Sequence, residues 1–378
     1  MAYYDWLIIG AGPQGRFVAT ALLAADPALA LALVDPEPPM QAWHRRAAAT
    51  GMRYLRSSNA HHLGQHRRSL LRFSHSAGYD ARDLLGYYKR PSLALFNALA
   101  EAELAGVHQI RRRARRVSPD SNLWQVVLDD ATTTTARHVV LATGPGQPWR
   151  PPGLGTCEHV FDDDFHLGAP GRATVIVGGG ITGAQLALRA SAKGHRVAWL
   201  TRRAPDACDF DSEPRYAGPL GMRPFLAAPI AQRTALLAQA RRPGTLPPDV
   251  HADITARLAA GALDWIRGEP VALEDNALRL ADGRVLAAER VILATGFQSE
   301  PGEDSLLARV LADTGARTDG QGHIPLDDDL QIAPGLHVVG RAASLSLGPM
   351  AGNIKGARWA GERLAAVARN ECVRPAPD

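Results

Sequence analysis

Between Ala173 and Arg203 the chain reads ATVIVGGGITGAQLALRASAKGHRVAWLTRR, and few folds accommodate that order of residues. The run Val175-Ile176-Val177 is β-branched and apolar, as a buried strand requires. Gly178, Gly180 and Gly183 follow in G-x-G-x-x-G spacing, and a helical segment then spans about Ile181 to Lys193. A second apolar run closes the stretch at Thr201-Arg202-Arg203. Strand, glycine turn, helix and strand in that order form a dinucleotide-binding unit. The glycines permit the tight turn and the close approach of a pyrophosphate, while free N–H groups at the helix start attract the anion.

The N-terminus carries the same signal. Asp5 to Ile9 reads as a strand, Gly10, Gly12 and Gly15 as the turn, the residues to about Ala25 as a helix, and Ala30 to Val34 as a second strand ending at Asp35. The two units end in opposite chemistry. Asp35 lies 20 residues after Gly15, where a carboxylate can accept hydrogen bonds from both hydroxyls of an adenosine ribose. Arg202 and Arg203 occupy the corresponding place in the internal unit, and paired guanidinium groups suit a 2′-phosphate. The acidic unit is therefore expected to hold FAD and the basic one NADPH.

Two further runs tie the units together. Val139 to Gly144 and Val291 to Gly296 are both apolar strands that end in Ala-Thr-Gly, where small residues let backbones cross closely. Thr143, Gly144, Thr295 and Gly296 are accordingly read as crossing and cofactor-contact residues. The expected architecture is α/β, with two Rossmann-like dinucleotide-binding domains. Residues 1–150 and 297–378 form a discontinuous FAD domain, and residues 151–296 form an inserted NADPH domain with a loop-rich insertion at about 204–250. Short alternating strands from Asp264 to Leu286, turning at Asp282-Gly283, complete the inserted domain.

On these motifs the chain resembles the two-dinucleotide-binding-domain flavoproteins, and more narrowly the class B flavoprotein monooxygenases, which include the flavin-containing monooxygenases and the lysine/ornithine N-hydroxylases. Trp43-His44 followed by Gly51-Met52 is similar to a segment of the N-hydroxylases, which implies that Trp43 lies near the cofactor. Tyr54 to Asn59 is similar to the segment of flavin-containing monooxygenases whose Asn borders the reactive edge of the flavin. Asn59 is thus the candidate active-site amide, with His61 and His62 nearby; an ordinary turn Asn is the competing reading. Gly155 to His159 resembles part of the fingerprint that precedes the NADPH motif and makes His159 a hinge or cofactor residue. Asp209 to Pro214 loosely resembles an N-hydroxylase region, with acids that could meet a cationic substrate or sit in a solvated loop. Gly340 ends a strand where the resemblance implies an Asp to follow and bind the ribityl chain; Arg341 stands there instead.

The resemblance implies an FAD-dependent, NADPH-consuming monooxygenase that takes O₂ and a small-molecule substrate and moves one oxygen atom to a heteroatom, with N-hydroxylation of an amine or amino acid as the expected reaction. The residues leave open an NADPH-dependent flavoprotein reductase or dehydrogenase that does not activate O₂, and an inert nucleotide-binding module.

Composition narrows the field further. The 42 basic and 38 acidic residues are interspersed, giving a net charge of +4, so no nucleic-acid or membrane partner is expected. Arg111 to Arg116 is the exception, and a basic run before a strand is ordinarily a solvated face. Cys157, Cys208 and Cys372 are far apart with no C-x-x-C, which argues against a zinc site or a redox dithiol; no metal site is expected. No signal peptide or 18-residue apolar run is visible, which makes the cytoplasm the expected compartment. The sequence carries no indication of oligomeric state.

Overall fold

A computed structural model describes residues 2–103 and 106–372 of the chain. The opening strand, Ala2–Ile9, is exposed at its start and buried over its last four residues, as expected of a strand that enters the middle of a sheet. It lies between Leu31–Val34 and Thr133–Leu141, parallel to both. His108–Ile110 extends the sheet on one side and Leu336–Val338 on the other, again in parallel. Strands from residues 2–141 and 331–338 therefore share one eight-stranded sheet, which an antiparallel hairpin of Ala114–Asp120 and Leu123–Leu128 completes.

A second, five-stranded parallel sheet is built wholly from the intervening residues. Its order is Asp264–Arg267, Arg196–Thr201, Ala173–Val177, Arg290–Leu293, Glu158–His159. Three antiparallel strands, Pro270–Glu274, Ala277–Leu280 and Val285–Ala287, form a meander whose inner residues Leu278 and Leu280 pack with Val175, Val177 and Leu200. Gly283 makes the expected turn there, at φ +87°.

Parallel sheets need both faces covered, which accounts for strands that read as continuous apolar runs. In the first sheet Trp6, Leu7, Ile8, Val139, Val140 and Leu336 are almost wholly buried. Helices Pro13–Ala25 and Ile354–Cys372 cover one side, and Gly361 lets them approach: a Cβ there would lie 2.6 Å from the Phe17 ring. In the second sheet Trp199 and Ile176 pack under helices Ile181–Ala192 and Pro248–Ala259.

The insertion is more ordered than its composition suggests. It holds two helices, Pro219–Ala227 and Ile230–Ala240, and a two-strand tie between Asp206–Ala207 and Thr245–Leu246. The second helix falls within Ala228 to Arg241, the part of the insertion whose residues read as helical; the first lies where Gly and Pro residues read as irregular. Pro219 sits at the start of that helix, where its missing N–H costs nothing, and Gly221 is compelled by the backbone of Arg215, 2.8 Å from where a Cβ would stand. The helices bury Met222, Phe225 and Leu237 against Leu345, so the insertion lies over the C-terminal part of the first sheet's unit.

Candidate functional site

The two glycine turns repeat one geometry almost atom for atom. Gly10 has φ +112° and Gly178 φ +142°, values that L side chains rarely adopt. A Cβ on Gly10 would lie 2.2 Å from the Ala142 carbonyl oxygen, and one on Gly178 would lie 2.3 Å from that of Ala294. Each turn is thus pressed against the end of an Ala-Thr-Gly strand. A Cβ on Gly15 would stand 1.9 Å from the Gly10 oxygen, and one on Gly183 would stand 2.1 Å from the Gly178 oxygen. The middle glycines differ, since a Cβ on Gly12 or Gly180 would meet nothing within 4 Å. Both cap their helices in extended conformation with no side-chain cap, so the first helical N–H groups face an open space. That is a cradle for a pyrophosphate.

Asp35 closes the first cradle. Its carboxylate accepts from the backbone N–H of Ala11 at 2.8 Å and of Glu37 at 2.9 Å, leaving lone pairs for further donors. Gln14 ties the same turn to the start of the C-terminal helix, donating through Nε2 to the carbonyls of Ala351 and Asn353, both at 3.1 Å. Its Oε1 is buried with no partner, as a group that expects a ligand would be. Gly340 lies against Gln14, at 3.8 Å from its Cγ by the same Cβ construction. Gly10, Gly12, Gly15, Asp35 and Gly340 therefore converge on one place, and the residues present fit a dinucleotide there.

The two crossings also meet. The N–H of Trp149 donates to the Gly296 carbonyl at 2.9 Å, and the Thr295 hydroxyl donates to the Trp149 carbonyl. Gly144 and Gly296 take matching left-handed conformations, at φ +82° and +87°. Thr143 and Gly144 follow the first sheet's central strand, and Thr295 and Gly296 follow the second sheet's.

Three expected residues have protein partners of their own. Trp43 donates its indole N–H to Asn97 Oδ1 at 3.0 Å and packs on Phe96, within a small core rather than on a glycine turn. Arg341 donates to the carbonyls of Gln298, Ser299 and Gln321, so it braces the returning chain where an Asp was expected to hold a ribityl group. Arg203 donates to the Pro243 carbonyl at 3.1 Å, on the insertion side, whereas Arg202 lines an open cleft.

Asn59 lies in a half-buried loop held by its own N–H on the Tyr88 carbonyl at 3.2 Å. Among the described residues its side-chain amide has no hydrogen-bond partner. Tyr88 meets Phe210 of the insertion edge-on at 4.7 Å, so the Asn59 loop and the insertion share a wall. His61 is pushed down to about 4, first by burial and then by Lys355 and Arg358. His62 is pushed down to about 4 by burial. Its Nδ1 accepts from Gly64 N–H at 3.0 Å and its Nε2 lies 3.2 Å from the Arg67 carbonyl, a fully satisfied neutral ring with a structural role. His159 is buried on the edge strand beside Leu293, next to the second crossing, and accepts from Phe161 N–H at 3.1 Å. Asp211 accepts from Asn353 Nδ2 at 3.2 Å, which brings the insertion onto the start of the C-terminal helix.

Arg56 and Arg90 are functional residues that sequence reasoning did not assign. Arg56 crosses to the insertion and donates to the carbonyls of Cys208, Asp209 and Thr245 and to the Thr245 hydroxyl. Arg90 is buried and grips Asp249 through both terminal nitrogens, at 2.6 and 3.5 Å. Arg53 pairs with Asp253, and Arg189 returns a bond to the Ala49 carbonyl. Their partners lie 140 to 200 residues away, so no local pattern announces them. Replacing Asp249 with Ala leaves a buried unpaired guanidinium, and about 3 kcal/mol of stability should be lost in denaturant unfolding. An unchanged midpoint would show that the pair does not hold the two units together.

Among the described residues no three His, Cys, Asp or Glu side chains are grouped to hold a metal ion, and no helix is long and apolar enough to cross a membrane.

Comparison with known proteins agrees with this geometry. Residues 7–146 match the FAD-NAD(P)-binding family model. An ornithine N-hydroxylase from Kutzneria sp. 744 aligns over 98% of this chain and 100% of its own, with a TM-score of 0.80 and 17% identity. The chain shares the two-dinucleotide-binding-domain fold of that flavoprotein. L-lysine 6-monooxygenase from Pseudomonas syringae shares this two-unit flavoprotein fold with a TM-score of 0.75 and 18% identity, over 98% of this chain and 100% of that one. So does bacillithiol disulfide reductase from Bacillus cereus, with a TM-score of 0.62 and 17% identity, over 98% and 99%. A search of curated proteins by sequence gives no match. The fold thus serves both monooxygenases and reductases.

Proposed function

We propose that the chain is an FAD-dependent, NADPH-consuming monooxygenase that N-hydroxylates a small amine or amino acid: NADPH, H⁺, O₂ and R–NH₂ give NADP⁺, H₂O and R–NHOH. The observation that carries the reading is the set of polar ties between the units. Arg56, Arg90, Arg53 and Arg189 hold the second unit and its insertion against the first, which suits chemistry completed at one enclosed site. The TM-score of 0.80 to an ornithine N-hydroxylase in complex with reduced FAD, NADP⁺ and L-ornithine supports the same reading.

Bound FAD supplies the electron storage and oxygen activation, and NADPH the hydride. The chain's own residues bind and orient. The turn at Gly10 to Gly15 with Asp35 and Gly340 holds the FAD pyrophosphate and ribose, with Thr143 and Gly144 beside it. The turn at Gly178 to Gly183 would hold the NADPH pyrophosphate, with Thr295 and Gly296 at the crossing and Arg202, at the end of the second strand, at the ribose. Asn59 offers an amide that donates and accepts without changing protonation state. The insertion, with Phe210 against Tyr88, keeps water out of the site.

Amines, amino acids and sulfides screened for stimulation of NADPH oxidation, with O₂ uptake, hydroxylated product and free hydrogen peroxide measured together, test the proposal. One class should raise NADPH consumption about tenfold or more with matching product. Asn59→Ala should then keep NADPH oxidation within about threefold while most of it is diverted to peroxide. Full coupling in that variant would return Asn59 to the ordinary turn class. The reductase neighbours favour a second reading, electron transfer to a non-oxygen acceptor. NADPH oxidation that needs a quinone or disulfide and consumes no O₂ would replace the monooxygenase with it.

A further inference from the structure

The ribose end of the second unit carries groups that lie outside its sequence motif. A cleft of about 580 Å³ opens at the free edge of the second sheet, where Asp264–Arg267 is the outermost strand. Arg202, Trp265, Arg267 and Arg284 line it, with two carboxylates, Glu269 and Asp282. Thr201 and Arg267 face one another in parallel register, so Arg202 and Arg267 leave the sheet at the same end.

The charges there are not equivalent. Arg284 is taken by Asp282, to which it donates from Nε at 3.0 Å and Nη2 at 2.7 Å. Among the described residues, Arg202 and Arg267 have no carboxylate partner. Two unpaired guanidinium groups at the mouth of one concave site are the donor set for a phosphate dianion. Trp265 is fixed beside them: its indole N–H donates to Thr201 Oγ1 at 2.9 Å, and that hydroxyl donates to the Arg203 carbonyl at 2.6 Å. With 37% of its surface still exposed, the ring offers a rigid aromatic face. Arg203 turns the other way, toward Pro243.

We propose that Arg202 and Arg267 grip the 2′-phosphate of NADPH while Trp265 stacks on the adenine, and that Arg203 braces the insertion loop. The assignment rests on the NADPH reading above and replaces its adjacent arginine pair with one that spans two strands. It also explains why the outermost strand ends in a cation with no partner.

Flavin-loaded, full-length protein titrated separately with 2′,5′-ADP and 5′-AMP tests it. The unmodified protein should bind 2′,5′-ADP more tightly by at least about thirtyfold, as two charge-assisted contacts imply. Arg202→Gln and Arg267→Gln should each weaken 2′,5′-ADP about tenfold and leave 5′-AMP unchanged. Arg267→Lys, which keeps the charge but loses the planar fork, should fall between. Trp265→Ala should weaken both ligands about tenfold, and Arg203→Gln neither. A silent Arg267→Gln, or an Arg203→Gln that costs as much, overturns the assignment while leaving NADPH in place. Equal binding of the two ligands by the unmodified protein overturns the NADPH reading itself.

Discussion

Gly12→Ala is expected to give a protein that folds normally and binds flavin far more weakly. At position 12 the backbone has φ −75°, ordinary for alanine, and an added Cβ touches nothing within 4 Å. The unfolded chain loses freedom on gaining a side chain, so the apoprotein should be unchanged or more stable by up to about 1 kcal/mol. The open space is, however, the place through which a pyrophosphate must reach the free N–H groups of the helix. A methyl group there should weaken FAD binding by about a hundredfold or more, equivalent to about 3 kcal/mol. Gly180→Ala should do the same for the second unit: the flavin stays bound at full stoichiometry, and its anaerobic reduction by NADPH is lost.

Gly15→Ala and Gly183→Ala should behave in the opposite way. Their Cβ atoms would stand 1.9 and 2.1 Å from backbone oxygens of their own turns, which no side-chain rotation relieves. Overpacking of that severity costs about 3 kcal/mol or more, a large part of the stability of any domain. These two variants should lose folded protein along with cofactor. Visible absorption for bound flavin and circular dichroism for folding separate the four outcomes. A Gly12→Ala protein with stoichiometric FAD would mean that the first turn is a structural bend and not a nucleotide cradle.

What could be read in the sequence follows how local the cause is. Each glycine motif is complete within about 30 residues, so both turns and the α/β fold were legible, although only Gly15 and Gly183 are dictated by contacts inside that window; Gly10 and Gly178 answer to their positive φ and to the distant Ala142 and Ala294 carbonyls. The paired Ala-Thr-Gly strands were legible because the same text occurs twice. Helix Pro219–Ala227 was not, because Gly218, Pro219, Gly221 and Pro224 read locally as breakers, while the requirement for Gly221 comes from packing on Arg215. Trp43 matched a motif, yet its indole N–H is satisfied by Asn97, 54 residues on. Arg56 and Arg90 are ordinary arginines until the fold brings Thr245 and Asp249 to them, 189 and 159 residues later. Arg267 ends a short strand and has no motif; only its register with Thr201 sets it beside Arg202.

Acid should begin to destabilise the protein above the pH at which carboxylates titrate, because two buried histidines are held neutral. Burial pushes His62 and His159 down to about 4 and His337 to about 3. For His62 and His159 geometry requires neutrality independently of burial. His62 Nδ1 accepts the Gly64 N–H and His159 Nδ1 accepts the Phe161 N–H, and neither nitrogen can also carry a proton. His337 is different: its Nδ1 faces the Asp329 carbonyl at 2.8 Å, His138 Nε2 faces the Glu371 carboxylate at 2.9 Å, and one proton lies between the two rings at 3.0 Å, so this pair carries three protons and is not among the neutral rings that set the acid slope. A group whose folded pKa is depressed contributes fully above its unfolded value, near 6.5 for His, and loses that contribution as pH falls toward the folded value. Below about pH 6.5 the unfolded chain therefore binds more protons than the folded one. Two such rings give a slope near pH 5 of about 2.5 kcal/mol per pH unit, and a loss of about 5 kcal/mol by pH 4.5, a large part of a typical domain's stability. Denaturant midpoints at pH 7.5, 6 and 5 on flavin-loaded protein measure it. His62→Asn and His159→Asn each supply an amide oxygen for the same backbone N–H, and each should flatten the slope by about one proton, or about 1.4 kcal/mol per pH unit. A midpoint that does not move between pH 7.5 and 5, or variants with an unchanged slope, would show that these rings are protonated in the folded state and that the backbone contacts at Gly64 and Phe161 are not what holds them.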